Sequence, residues 1–217
     1  MNDEKNTTTE VIDGNLAPLQ WILLHVEVAG ITGVLLGAYY VQFVMQEFPC
    51  PLCLLQRMAM MLSAVGPAYM LGSIHSKRSH DHDVLTVAYG TSIIGAVLGL
   101  LISSRQVLLH ILPNDPGYGS AVMGMHLYTW ALVVFTVVLA VCGLTLVFAP
   151  RLRMAKRSGR IPIATKIVLV AFIGVILSNV VTTFVESGFN LYLPDSPTSY
   201  ELLDGRDDPT STTGNPG

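Results

Sequence analysis

The chain has 217 residues, of which 51% are hydrophobic and 12% are charged, with a formal net charge of −3. Soluble proteins carry about 25% charged residues, so this composition excludes an ordinary soluble domain and indicates an integral membrane protein. Three cysteines are too few for a disulfide-rich scaffold. We expect the lipid membrane as the surroundings of the chain and no nucleic-acid partner.

A polar tail, residues 1–18, precedes five apolar segments that are each long enough to cross about 30 Å of hydrocarbon. The first segment is too long for a signal-peptide core and follows no basic region, so we interpret it as an uncleaved span. A backbone in lipid must satisfy its own hydrogen bonds, so the segments are predicted to be helices. Residues 19–186 are therefore predicted to form an all-α domain of five spans: Leu19–Met45, Leu54–Ile74, Val84–Leu112, Val122–Ala149 and Ile163–Val185.

The charge of the connecting segments predicts the orientation. The connections after spans two and four, together with the start of span five, hold these basic residues: Lys77, Arg78, Arg151, Arg153, Lys156, Arg157, Arg160 and Lys166. By the positive-inside rule these connections and the N-terminus are cytoplasmic. Connections 46–51 and 113–121, which lack Lys and Arg, then face outward with the tail 187–217. We expect that acidic tail to be partly disordered, or alternatively to fold over the outer mouth.

Small residues recur in two of the predicted spans, at spacings that allow close contact between helices. They are Gly30, Gly33 and Gly37 in span one and Gly95 and Gly99 in span three. Membrane helices use such residues where backbones approach each other, so these positions are predicted helix contacts.

Cys50 and Cys53 form a Cys-x-x-Cys pair at the start of span two, in an outward connection. The loop that they close is too short to stabilise the fold much, and a structural zinc site would need two more soft ligands. The pair is therefore predicted to carry redox chemistry, with an inert disulfide and a partial metal site as alternatives. Cys142 lies about 30 Å along span four, too far to pair with either, and is interpreted as a buried apolar residue.

Two polar side chains follow the dithiol on the same face of span two. Cys53 lies in the first turn, where a helix N-terminus stabilises a thiolate. Arg57 is four residues further on, and Gln56 flanks the same face. An arginine at the edge of hydrocarbon is costly, which predicts a functional role; the alternative is that it extends to the interface.

More polar residues lie toward the outer side in spans three and four: Arg105, Gln106, His110 and His126. With Arg57 and Gln56 they are predicted to give an apolar pocket its hydrogen-bond donors. Such a pocket suits a carbonyl-bearing, lipid-soluble ligand such as a quinone. His25 and Glu27, in the inner half of span one, are interpreted as packing contacts or part of a proton route. The loop pair His80 and His82 leaves a metal site only as an alternative.

The segments Val41–Met45 and Pro49–Arg57 resemble the first outer loop of the disulfide bond formation protein B (DsbB) family. The shared pattern is a helix, a Pro-Cys-x-x-Cys step and an arginine four residues after the second cysteine. The resemblance implies a four-helix-bundle core, to which this chain adds a fifth transmembrane helix. It also implies a quinone–thiol oxidoreductase of the bacterial cytoplasmic (inner) membrane. Ubiquinone or menaquinone is then the cofactor, and a periplasmic thioredoxin-like protein of the DsbA type is the partner.

By this resemblance, Cys50 exchanges with the partner, Cys53 attacks the quinone, and Arg57 stabilises the negative charge that develops. The family's prototype carries a second cysteine pair in its second outer loop, which residues 113–120 lack. We therefore expect Cys50 to exchange directly with the partner, or alternatively another protein to relay electrons. Two other functions stay open. One is a reductant conduit, because reduction potentials set the direction of flow; the other is a non-catalytic membrane scaffold with an inert loop disulfide.

Overall fold

A computed structural model of the chain describes residues 14–75, 84–152, 154 and 160–187. The described helices are α1 (Ala17–Phe43), α2 (Pro51–Ser73), α3 (Val84–Leu109), α4 (Leu127–Val147), the short α5 (Ala149–Leu152) and α6 (Ile163–Ser187). The prediction of an all-α membrane protein is confirmed. Several residues used above lie outside the described ranges: residues 1–13, Lys77, Arg78, His80, His82, Arg153, Lys156, Arg157 and residues 188–217.

Four of the described helices, α1, α3, α4 and α6, are long and apolar enough to cross a membrane. Helix α2 has 23 residues but is less apolar and is not among these four, whereas five apolar spans were expected. The reason is its central position, because α2 packs against α1, α3, α4 and α6. Its polar residues Gln56, Arg57 and Ser63 are buried among those neighbours. A helix shielded in this way can carry polar groups that a lipid-facing helix cannot.

Glycines allow close approach where α3 meets its neighbours. A Cβ on Gly95 would lie 2.5 Å from the backbone nitrogen of Ser63 on α2. A Cβ on Gly99 would lie 2.0 Å from the ring of Phe135 on α4. The predicted contacts at these two glycines are confirmed, and Gly66 of α2 adds a third close contact, against α3.

The glycines of α1 behave differently. A Cβ on Gly30, Gly33 or Gly37 would meet nothing within 4 Å, so the predicted helix contacts at these positions are wrong. These residues are exposed on α1, while Leu24, Val28 and Leu35 of the same helix are buried in the core. The glycine spacing showed that these residues share one face of α1, but it did not show which face of α1 packs against the other helices.

Helix α4 begins at Leu127 rather than at Val122, because the chain first makes a tight turn. Val122 and Met125 exchange backbone hydrogen bonds of 2.8 and 3.2 Å. Between them, Met123 and Gly124 have φ values of 54° and 84°, which an α-helix does not allow.

The α3–α4 connection, residues 110–126, is called the outer connection below. It is hydrogen-bonded to the α1–α2 connection, residues 44–50. The Tyr118 hydroxyl donates to the Phe48 carbonyl at 2.7 Å. The Glu47 carboxylate accepts from the backbone N–H of Ser120 at 3.0 Å and also from the Ser120 hydroxyl. The connection 110–126 is thereby fastened to the segment that carries the dithiol.

Candidate functional site

Cys50 and Cys53 lie where α2 begins, with Pro51 at the first helical position, which proline favours. Cys50 is the N-cap residue, and its Sγ accepts the backbone N–H of Cys53 at 3.2 Å. The helix N-terminus thus contacts the sulfur of Cys50, whereas the sequence directed attention to Cys53. The two Sγ atoms lie 2.6 Å apart, so the thiols are placed to form a disulfide without movement of the backbone.

The two thiols have different surroundings. Cys50 is only 5% exposed, whereas Cys53 is partly exposed and lines a cavity. The hydrogen bond with Cys53 and then burial raise the pKa of the Cys50 thiol above its ordinary value. Cys50 therefore stays protonated near neutral pH, and an ionised dithiol carries its negative charge on Cys53.

Gln106 of α3 holds the two sulfurs from the other side. Its Nε2 lies 3.3 Å from the Sγ of Cys50 and 3.7 Å from the Sγ of Cys53. Its Oε1 accepts a hydrogen bond of 2.8 Å from Gln56 Nε2, and both glutamines are buried. Because the Gln56 amide fixes the orientation of the Gln106 amide, Gln106 points an N–H donor at the dithiol.

Arg57 is held mainly by α1. Its Nη1 donates to Gln42 Oε1 at 2.6 Å, and its Nη2 donates to the Ala38 carbonyl at 3.3 Å. The guanidinium carbon lies 5.4 Å from the centroid of the Tyr39 ring, within the range of a cation–π contact. Arg57 is only 7% exposed and interacts electrostatically with Cys53. The alternative that Arg57 extends to the water interface is therefore wrong.

A cavity of about 670 Å³ lies beside Cys53, between α1 and α4 and beneath the outer connections. Its apolar walls include Val34, Val41, Met60, Trp130 and Val134. Its polar lining includes Cys53, Gln56, Arg57, Glu47 and Tyr118. The cavity therefore combines a reactive thiol, a cation and an amide with an otherwise apolar interior.

Five of the predicted site residues do not line this cavity: Cys50, Arg105, Gln106, His110 and His126. Cys50 and Gln106 contact the sulfur of Cys53 instead. Arg105 is exposed on α3, on another face of the helix from the buried Gln106. His110 and His126 both stack on the Tyr128 ring, with centroid distances of 5.5 and 5.3 Å. The two histidines therefore support the outer connection and reach the cavity only through Tyr128, which lines it.

The outer connection is ordered by its own polar contacts. Asp115 accepts the backbone N–H of Gly117 at 2.8 Å and lies 3.1 Å from the Nδ1 of His110. These two contacts hold the pKa of Asp115 below its usual value. Burial and the nearby cysteines raise the pKa of Tyr118, so its hydroxyl stays protonated and available to donate to Phe48.

Several residues of the site were not singled out from the sequence. Gln42 is a lone amide in an apolar run, a pattern that could have identified it, whereas Tyr39 and Tyr118 resemble ordinary interface tyrosines. Glu186 follows the predicted end of span five at Val185 and was given no role, yet it is buried and interacts electrostatically with Arg57. Within the described ranges, no group of three or more His, Cys, Asp or Glu side chains is arranged to hold a metal ion.

Comparison with known proteins gives one consistent family. The family model described as disulfide bond formation protein DsbB matches residues 20–119. Disulfide bond formation protein B of Saccharophagus degradans is 35% identical over 88 residues, which are 40% of this chain and 49% of the relative. The protein of the same name from Marinobacter nauticus is 38% identical over 93 residues, or 42% and 52% of the two chains. That of Hahella chejuensis is 30% identical over 95 residues, or 44% and 53%.

The chain spans about half the length of the curated relatives it matches. The region matched by the family model contains α1 from residue 20 onward and all of α2 and α3, with both cysteines of the pair, Arg57 and Gln106. Helices α4 and α6 lie beyond it. No solved structure gave a significant match.

Proposed function

The chain belongs to the DsbB family over residues 20–119, and from that premise we propose that it is a membrane oxidoreductase that generates disulfides. In this proposal the Cys50–Cys53 dithiol passes its electrons to a membrane quinone. The resulting disulfide then passes to a thioredoxin-like protein outside the cytoplasm. The observation that carries the proposal is the position of Cys53, which faces an apolar cavity also lined by a buried arginine.

The cavity fits a quinone in size and in chemistry. Small-molecule sites enclose roughly 300–1,000 Å³, and this cavity has about 670 Å³. Its valine, methionine and tryptophan walls suit an apolar ring, while Arg57 and Gln56 offer donors to ring oxygens. The cavity lies between α1 and α4, both long and apolar enough to face lipid, so a lipid-soluble ligand has a short path to it. Ubiquinone and menaquinone both have this chemistry.

A quinone bound there supplies an acceptor for two electrons and two protons. The protein contributes the rest of the reaction: two S–H bonds break, one S–S bond forms, and two electrons and two protons leave the dithiol. Cys53 presents its sulfur to the cavity, and Gln106 keeps the sulfur of Cys50 beside it. Arg57, fixed by α1, places a positive charge where negative charge develops, and such a preorganised charge lowers the barrier.

Exchange with a partner requires the outer connection to move. Cys50 is buried, and the Tyr118–Phe48 hydrogen bond holds residues 110–126 against the dithiol segment. We propose that docking of the partner opens this contact and the neighbouring contact between Glu47 and Ser120. Because residues 113–121 contain no cysteine, the Cys50–Cys53 dithiol then exchanges directly with the partner.

We place the chain in the bacterial cytoplasmic membrane with five spans, α2 included, within residues 19–186. Among the described basic residues, Arg151, Arg160 and Lys166 lie at the end of the bundle opposite the dithiol. The backbone carbonyl of Arg151, for example, accepts the Leu16 N–H next to the start of α1. That end is cytoplasmic by the positive-inside rule. Residues 1–18 are then a cytoplasmic tail, and residues 187–217 are periplasmic.

A turnover assay tests the proposal. The purified protein, in catalytic amount in detergent, is mixed with excess ubiquinone or menaquinone and a reduced thioredoxin-like protein, and quinone reduction is followed by absorbance. We expect multiple turnovers in which the substrate protein becomes oxidised in equal amount. No quinone reduction above the uncatalysed rate, with either quinone, would overturn the proposal.

A further inference from the structure

Glu186, near the end of α6, is a buried acid that makes no hydrogen bond within the described part of the chain. Its side chain is 1% exposed, and neither carboxylate oxygen has a hydrogen-bond partner among the described residues. Buried polar groups are nearly always hydrogen-bonded, so an acid in this state calls for a functional explanation. The residue also lies outside the part of the chain that matches the family, on the additional helix.

Helix α6, which carries Glu186, packs against α1 and against α2, the helix that begins with the dithiol. Helix α2 contributes Arg57 and Cys53, and both interact electrostatically with the Glu186 carboxyl. The outer connection contributes Tyr118, which also interacts with Glu186. From α1, the Tyr39 ring lies against the Arg57 guanidinium. Glu186 and Arg57 are not in ion-pair contact; the described ion pair is His110–Asp115, so the influence of Glu186 acts through space.

We propose that Glu186 is a positioning residue that sets how much of Cys53 is ionised, by competing with the thiolate for the positive charge of Arg57. One buried cation favours one negative charge beside it, because a second is opposed by repulsion in a medium of low dielectric constant. Two acids that share one cation titrate as a coupled pair. When Cys53 loses its proton, Glu186 takes up a proton, and when Cys53 is protonated again, Glu186 releases it.

This inference rests on the proposed function only in treating Cys53 as a reacting thiol. Its test needs neither quinone nor partner, so its failure leaves the proposed function standing. Conversely, a chain that reduces no quinone can still show the coupling between Glu186 and Cys53.

The test measures the rate at which Cys53 reacts with iodoacetamide, which only the thiolate does at an appreciable rate. The protein carries Cys50→Ser and Cys142→Ala so that Cys53 is its remaining thiol, and rates are compared at pH 7 and pH 10. The rate at pH 7 divided by the rate at pH 10 reports the ionised fraction of Cys53 at pH 7. This ratio is unaffected by changes in how easily the reagent reaches the sulfur. A merely structural role for Glu186 would leave this ratio unchanged.

We expect Glu186→Gln to raise the ratio by about threefold or more, because the competing negative charge is gone. Glu186→Asp, which keeps the charge, should stay near the parent value. Glu27→Gln is the matched control, since it removes another buried carboxyl at the far end of α1. If Glu186→Gln does not yield monodisperse protein, Glu186→Met addresses the same question, because an apolar residue of similar length suits a buried site. An unchanged or lowered ratio in either variant overturns the inference.

Discussion

The bundle contains two buried polar clusters, each with a thiol and a carboxyl group, at opposite ends. At the inner end, Cys142 donates to Ser92 Oγ at 3.3 Å, and Ser92 donates to Glu27 Oε1 at 2.7 Å. At the outer end, the sulfurs of Cys50 and Cys53 share a donor, Gln106. Both clusters contain cysteine thiols, so the surroundings of each thiol must decide whether it reacts.

The inner cluster is arranged for packing. Cys142 is fully buried in the core and is not part of the cavity lining, as its interpretation as an apolar residue predicted. His25 lies 2.9 Å from Thr165 Oγ1, and Gln20 donates to the Tyr89 hydroxyl at 2.6 Å. These bonds join α1 to α6 and to α3, in agreement with the packing interpretation of His25 and Glu27. The outer cluster adds a second sulfur, a cation and a cavity, which are what redox chemistry requires.

Replacing the cysteines should separate the two clusters most strongly. Cys53→Ser is expected to reduce quinone-dependent turnover to the uncatalysed rate, because the thiol facing the cavity is lost. Cys142→Ala should keep turnover within about twofold of the parent, since burial alone gives a thiol no reactivity. The turnover assay described above measures both. A Cys142→Ala variant as inactive as Cys53→Ser, while still folded, would contradict the distinction between the clusters.

The buried charges should differ in the same sense. Arg57→Met is expected to lower turnover by about 10²–10³, which is typical for loss of one preorganised charge or donor at a reacting centre. The dithiol of this variant should still form a disulfide with a chemical oxidant. Glu27→Gln, the counterpart at the inner end, should change turnover by less than about twofold. Equal losses in the two variants would show that Arg57 acts only through stability.

A smaller effect is expected from the hydrogen bond that holds the outer connection over the dithiol. Tyr118→Phe removes the hydroxyl that donates to Phe48, a bond worth about 0.5–1.5 kcal/mol. Opening of the connection should then be about two- to tenfold more frequent, and a bulky, water-soluble maleimide should label Cys50 faster by that factor. Tyr69→Phe, which changes an exposed tyrosine on α2, is the control. Equal labelling rates in the two variants would mean that Tyr118 does not hold the connection closed.

The smallest effect concerns the pH dependence of the outer connection. The Gly117 N–H and His110 lower the pKa of Asp115, so its ionised form stabilises the folded connection. That stabilisation is present above the ordinary value of about 3.9 and is lost as pH falls through the lower folded value. Trp130 donates to the Val122 carbonyl in this connection, so its fluorescence is a local probe in a Trp21→Phe background. We expect a change below about pH 4 in the parent protein.

The Asp115→Asn variant provides the counterpart of that titration. It should show the low-pH emission already at pH 7, with turnover reduced by less than about twofold, because the connection is exposed and other bonds hold it. A parent protein whose Trp130 emission does not change with pH would contradict the role given to Asp115.

Much of the outer cluster could be predicted from the sequence because its members are close along one helix. Cys53, Gln56 and Arg57 share the first turns of α2, and helix geometry alone places them together. The same geometry separates Gln106 from Arg105, since neighbouring residues point about 100° apart, and only Gln106 is buried. Local spacing was sufficient wherever one helix supplied the contact.

Contacts between helices could not be predicted in the same way. Arg57 donates to Gln42 and to the Ala38 carbonyl, and both contacts depend on how α1 is rotated against α2. The same uncertainty explains why the contacts predicted at the glycines of α1 were wrong. Their spacing is regular, but the face that they form is exposed. Glu186 lies more than a hundred residues from Arg57 in the sequence, and no local pattern connects the two.

The central claim is that the dithiol gives its electrons to a quinone, and thiol counting under single-turnover conditions tests it most directly. The purified protein is reduced, freed of reductant and mixed anaerobically with ubiquinone or menaquinone, and its free thiols are counted by the mass added on alkylation. We predict rapid loss of both Cys50 and Cys53 with reduction of an equal amount of quinone, Cys142 unchanged, and no loss in Cys53→Ser. Persistence of both thiols with either quinone would contradict the account.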